Sequence, residues 1–255
     1  MAAGRGRESA PAPSGSQGQD RAGQARSREL RRVEPPPGAA AAGLDPEIRR
    51  ALRSLTPPLA DRVAAHLVAV GELLDTDAGA ALEQARAARA FAPRIGVVRE
   101  AVGLAAYAAG NWSEALAELR AERRLTGSAV HLPVMADCER GLGRPERALR
   151  MADAPERSRL DAAGRAELLI VLAGARQDLG QADAAVLTLA PMVDRAAEQA
   201  WSGRLWYAYA EALLAAGRAA EARTWFDAVS EVDDGETDAQ ERVLQLDRPT
   251  TPPHG

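Results

Sequence analysis

Residues 102–116 read VGLAAYAAGNWSEAL, and the same order of residue sizes returns three more times along the chain. In this stretch Gly110 stands seven residues after the small Gly103 and five before Ala115, with the larger Val102 directly ahead of Gly103. The same slots hold Met135, Ala136, Gly143 and Ala148; then Leu172, Ala173, Gly180 and Ala185; then Tyr209, Ala210, Gly217 and Ala222. A fifth, earlier copy fits if Thr76 fills the glycine slot, with Val68-Ala69 before it and Ala81-Leu82 after it. Successive turn positions are 34, 33, 37 and 37 residues apart. Periods of this size mark stacked supersecondary units.

Physical chemistry explains the pattern. Each copy predicts two antiparallel helices joined by a tight turn, and a glycine takes the left-handed backbone of such a turn without steric cost. The small residues let the two helix axes approach closely. The larger apolar residues fill the space between pairs, and no pair can bury its faces alone, so pairs stack. Aromatic residues make up only 4% of the chain. Its core must therefore bring backbones together rather than fill space with rings, which suits Ala-rich helices.

Helix starts are signposted by Asp45-Pro46 and Thr56-Pro57-Pro58, each a cap followed by proline in the first turn, and by Ser158 three residues ahead of Asp161. No sustained alternation of apolar and polar residues predicts a strand. Residues 1–43 are rich in Ala, Gly, Pro, Ser, Gln and Arg and are nearly free of large apolar side chains, which predicts a disordered, mildly basic tail. Residues 44–236 form the predicted helical region, opened by a leading helix over Leu44–Leu55 that caps the stack. Residues 237–255 predict a second polar, disordered tail.

These features resemble the tetratricopeptide repeat family. The match is carried by Val102-Gly103, Gly110-Asn111-Trp112 and Glu114-Ala115-Leu116, by Trp206, Tyr209-Ala210, Gly217 and Glu221-Ala222, and by Ala88 and Pro93 in the first unit. It covers roughly residues 62–236. The expected fold is an all-α solenoid of about five helix–turn–helix units. Thr76 departs from the pattern, Pro155 should shorten one second helix, and Pro191 should kink or break another. In composition the Arg-rich, Lys-free chain resembles small actinobacterial tetratricopeptide proteins, which assigns no activity.

In that family the first helix of each unit lines a concave groove. The resemblance places His66, Glu100, Tyr107, Asp137, Arg140, Glu167, Gln177, Asp178, Arg204, Tyr207 and Glu211 on it. Such a polar surface of mixed sign, with aromatic and Arg anchors, suits a protein or peptide partner. The function this implies is a non-catalytic scaffold or adaptor. The alternative is a nucleic-acid-associated accessory protein that touches phosphates through its Arg-bearing N-terminal tail, although the net charge of -4 argues against nucleic acid for the folded part. Self-association near Trp225 and Phe226 is a further reading. Trp112, Trp206, Trp225 and Phe226 fall in the repeat pattern and read as packing residues.

No catalytic site, cofactor or metal is expected. His66 and His131 are far apart, and neither has a second His or Cys at ligand spacing. No phosphate loop, nucleophile elbow or dinucleotide fingerprint is present. Cys138, the single cysteine, lies beside Asp137 and Glu139 on the packed part of its helix and reads as a small buried hydrophobe. A lone cysteine, no secretory leader and no apolar run of membrane length together predict a cytoplasmic protein.

Overall fold

Four of the predicted turns share one hydrogen-bonded geometry. Gly110, Gly143, Gly180 and Gly217 adopt φ of 71°, 69°, 70° and 76°. In each turn the glycine N–H donates to the carbonyl three residues back. The next N–H donates to the carbonyl five residues back: Asn111 to Ala106, Arg144 to Glu139, Gln181 to Arg176 and Arg218 to Leu213, at 2.7–2.9 Å. These two bonds satisfy carbonyls that a helix C-terminus otherwise leaves open.

The computed structural model describes residues 15–39, 44–193, 199–233 and 235–248, with side chains from residue 23 onward. Within the described residues there are α-helices and short 3-10 turns and no strand. The helices are α1 (Gly15–Leu30), α2 (Pro46–Ala51), α3 (Pro57–Leu73), α4 (Ala78–Phe91), α5 (Gly96–Ala108), α6 (Trp112–Thr126), α7 (Leu132–Gly141), α8 (Pro145–Leu149), α9 (Ala162–Asp178), α10 (Ala182–Val193), α11 (Ser202–Ala215), α12 (Ala219–Ser230) and α13 (Ala239–Leu246). No described helix is long and apolar enough to cross a membrane. The chain forms two compact units, residues 1–101 and 102–255, divided within α5.

In the first unit α3 packs along α4, and α1 touches α4. Leu44 and Leu52 bury themselves with Val63, Leu67, Ala88 and Val98. The leading segment is therefore α2 followed by a 3-10 turn at Leu52–Ser54, begun by Asp45, whose side chain accepts from Glu47 N–H at 2.6 Å. Without its glycine, the α3–α4 turn ends on Asp77, which caps α4 by accepting from Ala80 N–H at 2.9 Å.

In the second unit helices pack on the next in the chain (α6 on α7, α7 on α8, α8 on α9, α9 on α10, α10 on α11, α11 on α12 and α12 on α13), and α9 also packs on α7 and α11. The small-residue slots work as close contacts. A Cβ on Gly103 would lie 2.5 Å from Leu119 Cδ2, so α5 and α6 meet there backbone to side chain. A cluster around Phe226, Leu189, Leu205, Leu213 and Val229 forms the C-terminal core.

The two prolines act differently. Ahead of Pro155 the second helix of its pair is cut to α8, and 3-10 turns follow at Arg150–Asp153 and Pro155–Arg159. Pro191 is accommodated in the last turn of α10. The carbonyl it deprives of a partner belongs to Leu187, whose side chain is 73% exposed, so that bond is lost on a wet face.

Three expectations change. The cap of α9 is Asp161 itself, accepting from Gly164 N–H at 2.7 Å, while Ser158 bonds the Pro155 carbonyl inside a 3-10 turn. The predicted N-terminal tail contains α1, a proline-free run between Pro13 and Pro35 that touches α4 and is helical in spite of Gly15, Gly18 and Gly23. The predicted C-terminal tail contains α13, which buries Ala239 and Val243 in the Phe226 cluster. The disorder expected for residues 1–14, 40–43 and 249–255 concerns stretches outside the described residues.

Candidate interaction site

The first helices of successive pairs are tied by hydrogen-bonded polar side chains. Asp137 on α7 accepts from Tyr107 Oη of α5 at 2.7 Å and from Arg140 Nη1 at 2.9 Å. Arg140 then reaches α9, where its Nε and Nη2 donate to the two carboxylate oxygens of Asp178 at 2.8 and 3.2 Å. A planar guanidinium makes such a fork and an ammonium does not. The hydrogen bond to Asp178 is the main reason the Arg140 pKa is raised above its ordinary value, against the effect of burial. Burial first, and then the bond to Asp137, raises the pKa of Tyr107, so its hydroxyl stays a donor.

Two glycines make room for this network. A Cβ on Gly174 would stand 2.7 Å from Arg140 Cζ, so the guanidinium lies on bare backbone of α9. A Cβ on Gly141 would stand 2.8 Å from the Trp112 ring, which also meets Tyr107 edge-on at 5.3 Å. Trp112, Asp137, Arg140, Pro145, Glu146 and Asp178 line an open cleft of ≈ 530 Å³.

The arrangement recurs at the end of the second unit. Tyr207 of α11 donates to Asp238 at 2.5 Å, Arg242 Nε donates to the same carboxylate at 3.0 Å, and Arg242 pairs with Glu211 at 3.3 Å. Tyr107 and Tyr207 reach acids 30 and 31 residues ahead. Thus α13 meets α11 with the same Tyr–Asp–Arg joint by which α7 meets α5. Between the two joints, Arg204 of α11 pairs with Glu167 of α9 at 2.9 Å.

Of the residues assigned to a groove, Tyr107, Asp137, Arg140 and Asp178 are thus in one network, and Glu167 pairs with Arg204. Tyr207 and Glu211 are tied to α13. Gln177 is half-buried beside Asp178, and Glu100 is half-buried on α5 within the first unit. His66 does not line an open surface. It is fully buried, its Nδ1–H donates to Gln84 Oε1 at 2.7 Å, and it stacks on Phe91. Sequence reasoning missed Gly141, Gly174, Asp238 and Arg242. The glycines carried a readable signal, since glycine inside a helix costs about 1 kcal/mol relative to alanine and calls for a reason.

Two titrations bear on chemistry here. Cys138 is fully buried, and burial, with Asp137 and Glu139 beside it, pushes its thiol up to about 12. It stays protonated and packs as an apolar side chain. Burial, with a smaller contribution from Arg62, lowers the His66 pKa below 6.5, while Gln84 and Glu34 oppose the shift. A depressed folded-state pKa makes the unfolded chain bind the proton first, so stability present above about pH 6.5 is lost as pH falls. Urea unfolding of the wild type is therefore expected to show a falling midpoint between about pH 7.5 and pH 5.5. The fall should be smaller in His66→Gln, and equal falls in both proteins would refute this account.

Arg140→Ala leaves Asp137 and Asp178 facing an empty cleft and is expected to lower the unfolding free energy by about 2 kcal/mol. Arg140→Lys should recover less than half of that, because a point charge cannot make the fork. Urea titrations of the three proteins check both values.

No protein-family model matches this chain, and no curated protein matches it.

Proposed function

We propose that this protein is a non-catalytic scaffold: a tetratricopeptide-like solenoid whose first helices present a polar row to a protein or peptide segment. The observation that carries the proposal is the Tyr107–Asp137–Arg140–Asp178 network, which holds an aromatic ring, a guanidinium and two carboxylates in place along the cleft beside Trp112. Side chains ordered before binding lose little entropy on binding, and aromatic and Arg groups are the usual energetic centres of interfaces. A segment laid along the row finds donors and acceptors at fixed spacing, as peptide recognition needs. The lone thiol is held protonated out of solvent, which fits binding better than covalent catalysis.

The test is affinity capture from native extract by the intact protein and by two variants matched in helicity. One carries Tyr107→Phe, Arg140→Ala and Tyr207→Phe; the other carries Arg124→Glu on the exposed face of α6. The expected result is one partner retained by the intact protein and by Arg124→Glu and lost by the triple variant. Equal capture by all three would remove the row from the interface.

A further inference from the structure

Buried His66 bonds Gln84, and Gln84 in turn bonds the chain's own N-terminal segment. Residues 33–36 lie outside any helix, and side chains of α3 and α4 grip the segment by its backbone. Arg62 Nη2 donates to the Arg31 carbonyl at 3.3 Å and to Glu34 Oε1 at 2.7 Å. Gln84 Nε2 donates to the Glu34 carbonyl at 3.3 Å. The Gln84 amide is aimed by His66, whose Nδ1–H holds its oxygen at 2.7 Å, so its nitrogen must face the segment. His66 Nε2 and Arg62 Nε are buried there without hydrogen-bond partners. The Arg62 guanidinium lies over the Phe91 ring at 4.7 Å, which fixes its plane.

Two backbone carbonyls and one carboxylate, each met by a donor, are the contacts by which a site recognises an extended peptide with an acidic residue. Backbone bonds set register and the charge pair gives specificity. The occupant suits the site: Pro35, Pro36 and Pro37 follow Glu34 directly, and proline holds the preceding residue extended, so little entropy is lost on docking. Arg31 Nε and Nη2 add a fork onto the Ala90 carbonyl at 3.0 and 2.8 Å, and the charge pair is the readily exchanged part of the hold. Glu34 is 73% exposed and Arg62 37% exposed at their side chains, and pairs so open to water contribute little.

We infer that Arg62 and Gln84, aimed by Phe91 and His66, form a peptide-binding site. Its preferred ligand is an extended segment with a glutamate followed by proline, and residues 31–37 are its resident occupant, displaced when a partner brings such a segment. The site uses none of the side chains of the α7, α9 and α11 row, so it stands or falls independently of that row.

The experiment uses the full chain with Glu34→Arg, which sets like charges against each other and ejects the resident segment. A fluorescein-labelled peptide of residues 28–39 (RELRRVEPPPGA) is titrated by anisotropy. Binding to the Glu34→Arg chain is expected to be at least about tenfold tighter than to the wild type, where the tethered segment competes. Glutamine at the peptide's Glu34 position should weaken binding about threefold, and adding Arg62→Ala to the Glu34→Arg chain, which also removes the bond to the Arg31 carbonyl, should weaken it further. The proposal is overturned by equal binding to wild type and Glu34→Arg. It is also overturned by no binding to a Glu34→Arg chain of unchanged helicity, or by full binding after Arg62→Ala.

Discussion

Phe226→Ala is expected to lower the unfolding free energy by about 4 kcal/mol. Phe226 is fully buried, and it belongs to the cluster that joins α10, α11, α12 and α13. Its ring meets Tyr207 edge-on at 5.4 Å, an arrangement worth about 1 kcal/mol beyond area burial. Truncation removes both terms and leaves a cavity that helices held by Gly217 and Ala222 cannot easily close. Phe226→Leu keeps most of the volume and should lose only about 1 kcal/mol. Trp206 and Trp225, 6.0 Å apart in the same region, report the transition by fluorescence. A loss below about 1 kcal/mol for Phe226→Ala would mean that the C-terminal helices do not share one core.

Gly103→Val is expected to cost about 3 kcal/mol. The Cβ alone would stand 2.5 Å from Leu119 Cδ2 and 2.6 Å from Cγ, where carbon atoms need about 3.5 Å. Leu119 is fully buried and cannot swing aside. Valine is a slightly better helix former than glycine, by a few tenths of a kcal/mol, which is too little to matter. The decisive comparison is the double variant with Leu119→Ala. Leu119→Ala by itself removes a core side chain, at about 3 kcal/mol. In the double variant the new methyl groups enter the vacated space, so the combined loss should fall short of the sum by more than about 1 kcal/mol. Additive losses would show that α5 and α6 do not meet at this point.

The turns were legible in the sequence because the left-handed backbone at Gly110, Gly143, Gly180 and Gly217 is a property of one residue and its nearest neighbours. The shortening of the helix before Pro155 was legible for the same reason: a missing N–H acts where it stands. The burial of His66 was not, because the groups that meet its ring, Gln84 and Phe91, come from α4, and spacing along α3 says only which side of the helix a residue occupies. Helix α13 was hidden in a polar stretch whose apolar residues, Ala239 and Val243, count only once a core is there to receive them. Of the groove residues, the paired ones were found through the repeat, whereas their mates Asp238 and Arg242 lay beyond its last copy. Phe226, which a self-association reading placed near an open end, is sealed by that same helix.

The joints of the second unit also bear on how the chain is made. Tyr107 meets Asp137, Arg140 meets Asp178, Arg204 meets Glu167 and Tyr207 meets Asp238 across 30, 38, 37 and 31 positions. No joint waits for a segment synthesised much later, so loop-closure entropy stays small and a low contact order favours rapid folding. As the polypeptide leaves the ribosome, each new pair of helices can dock on the pair already formed. Helix α13 arrives after α12 and closes the Phe226 cluster, so a chain released before residue 239 would keep its earlier pairs and leave that core open to water.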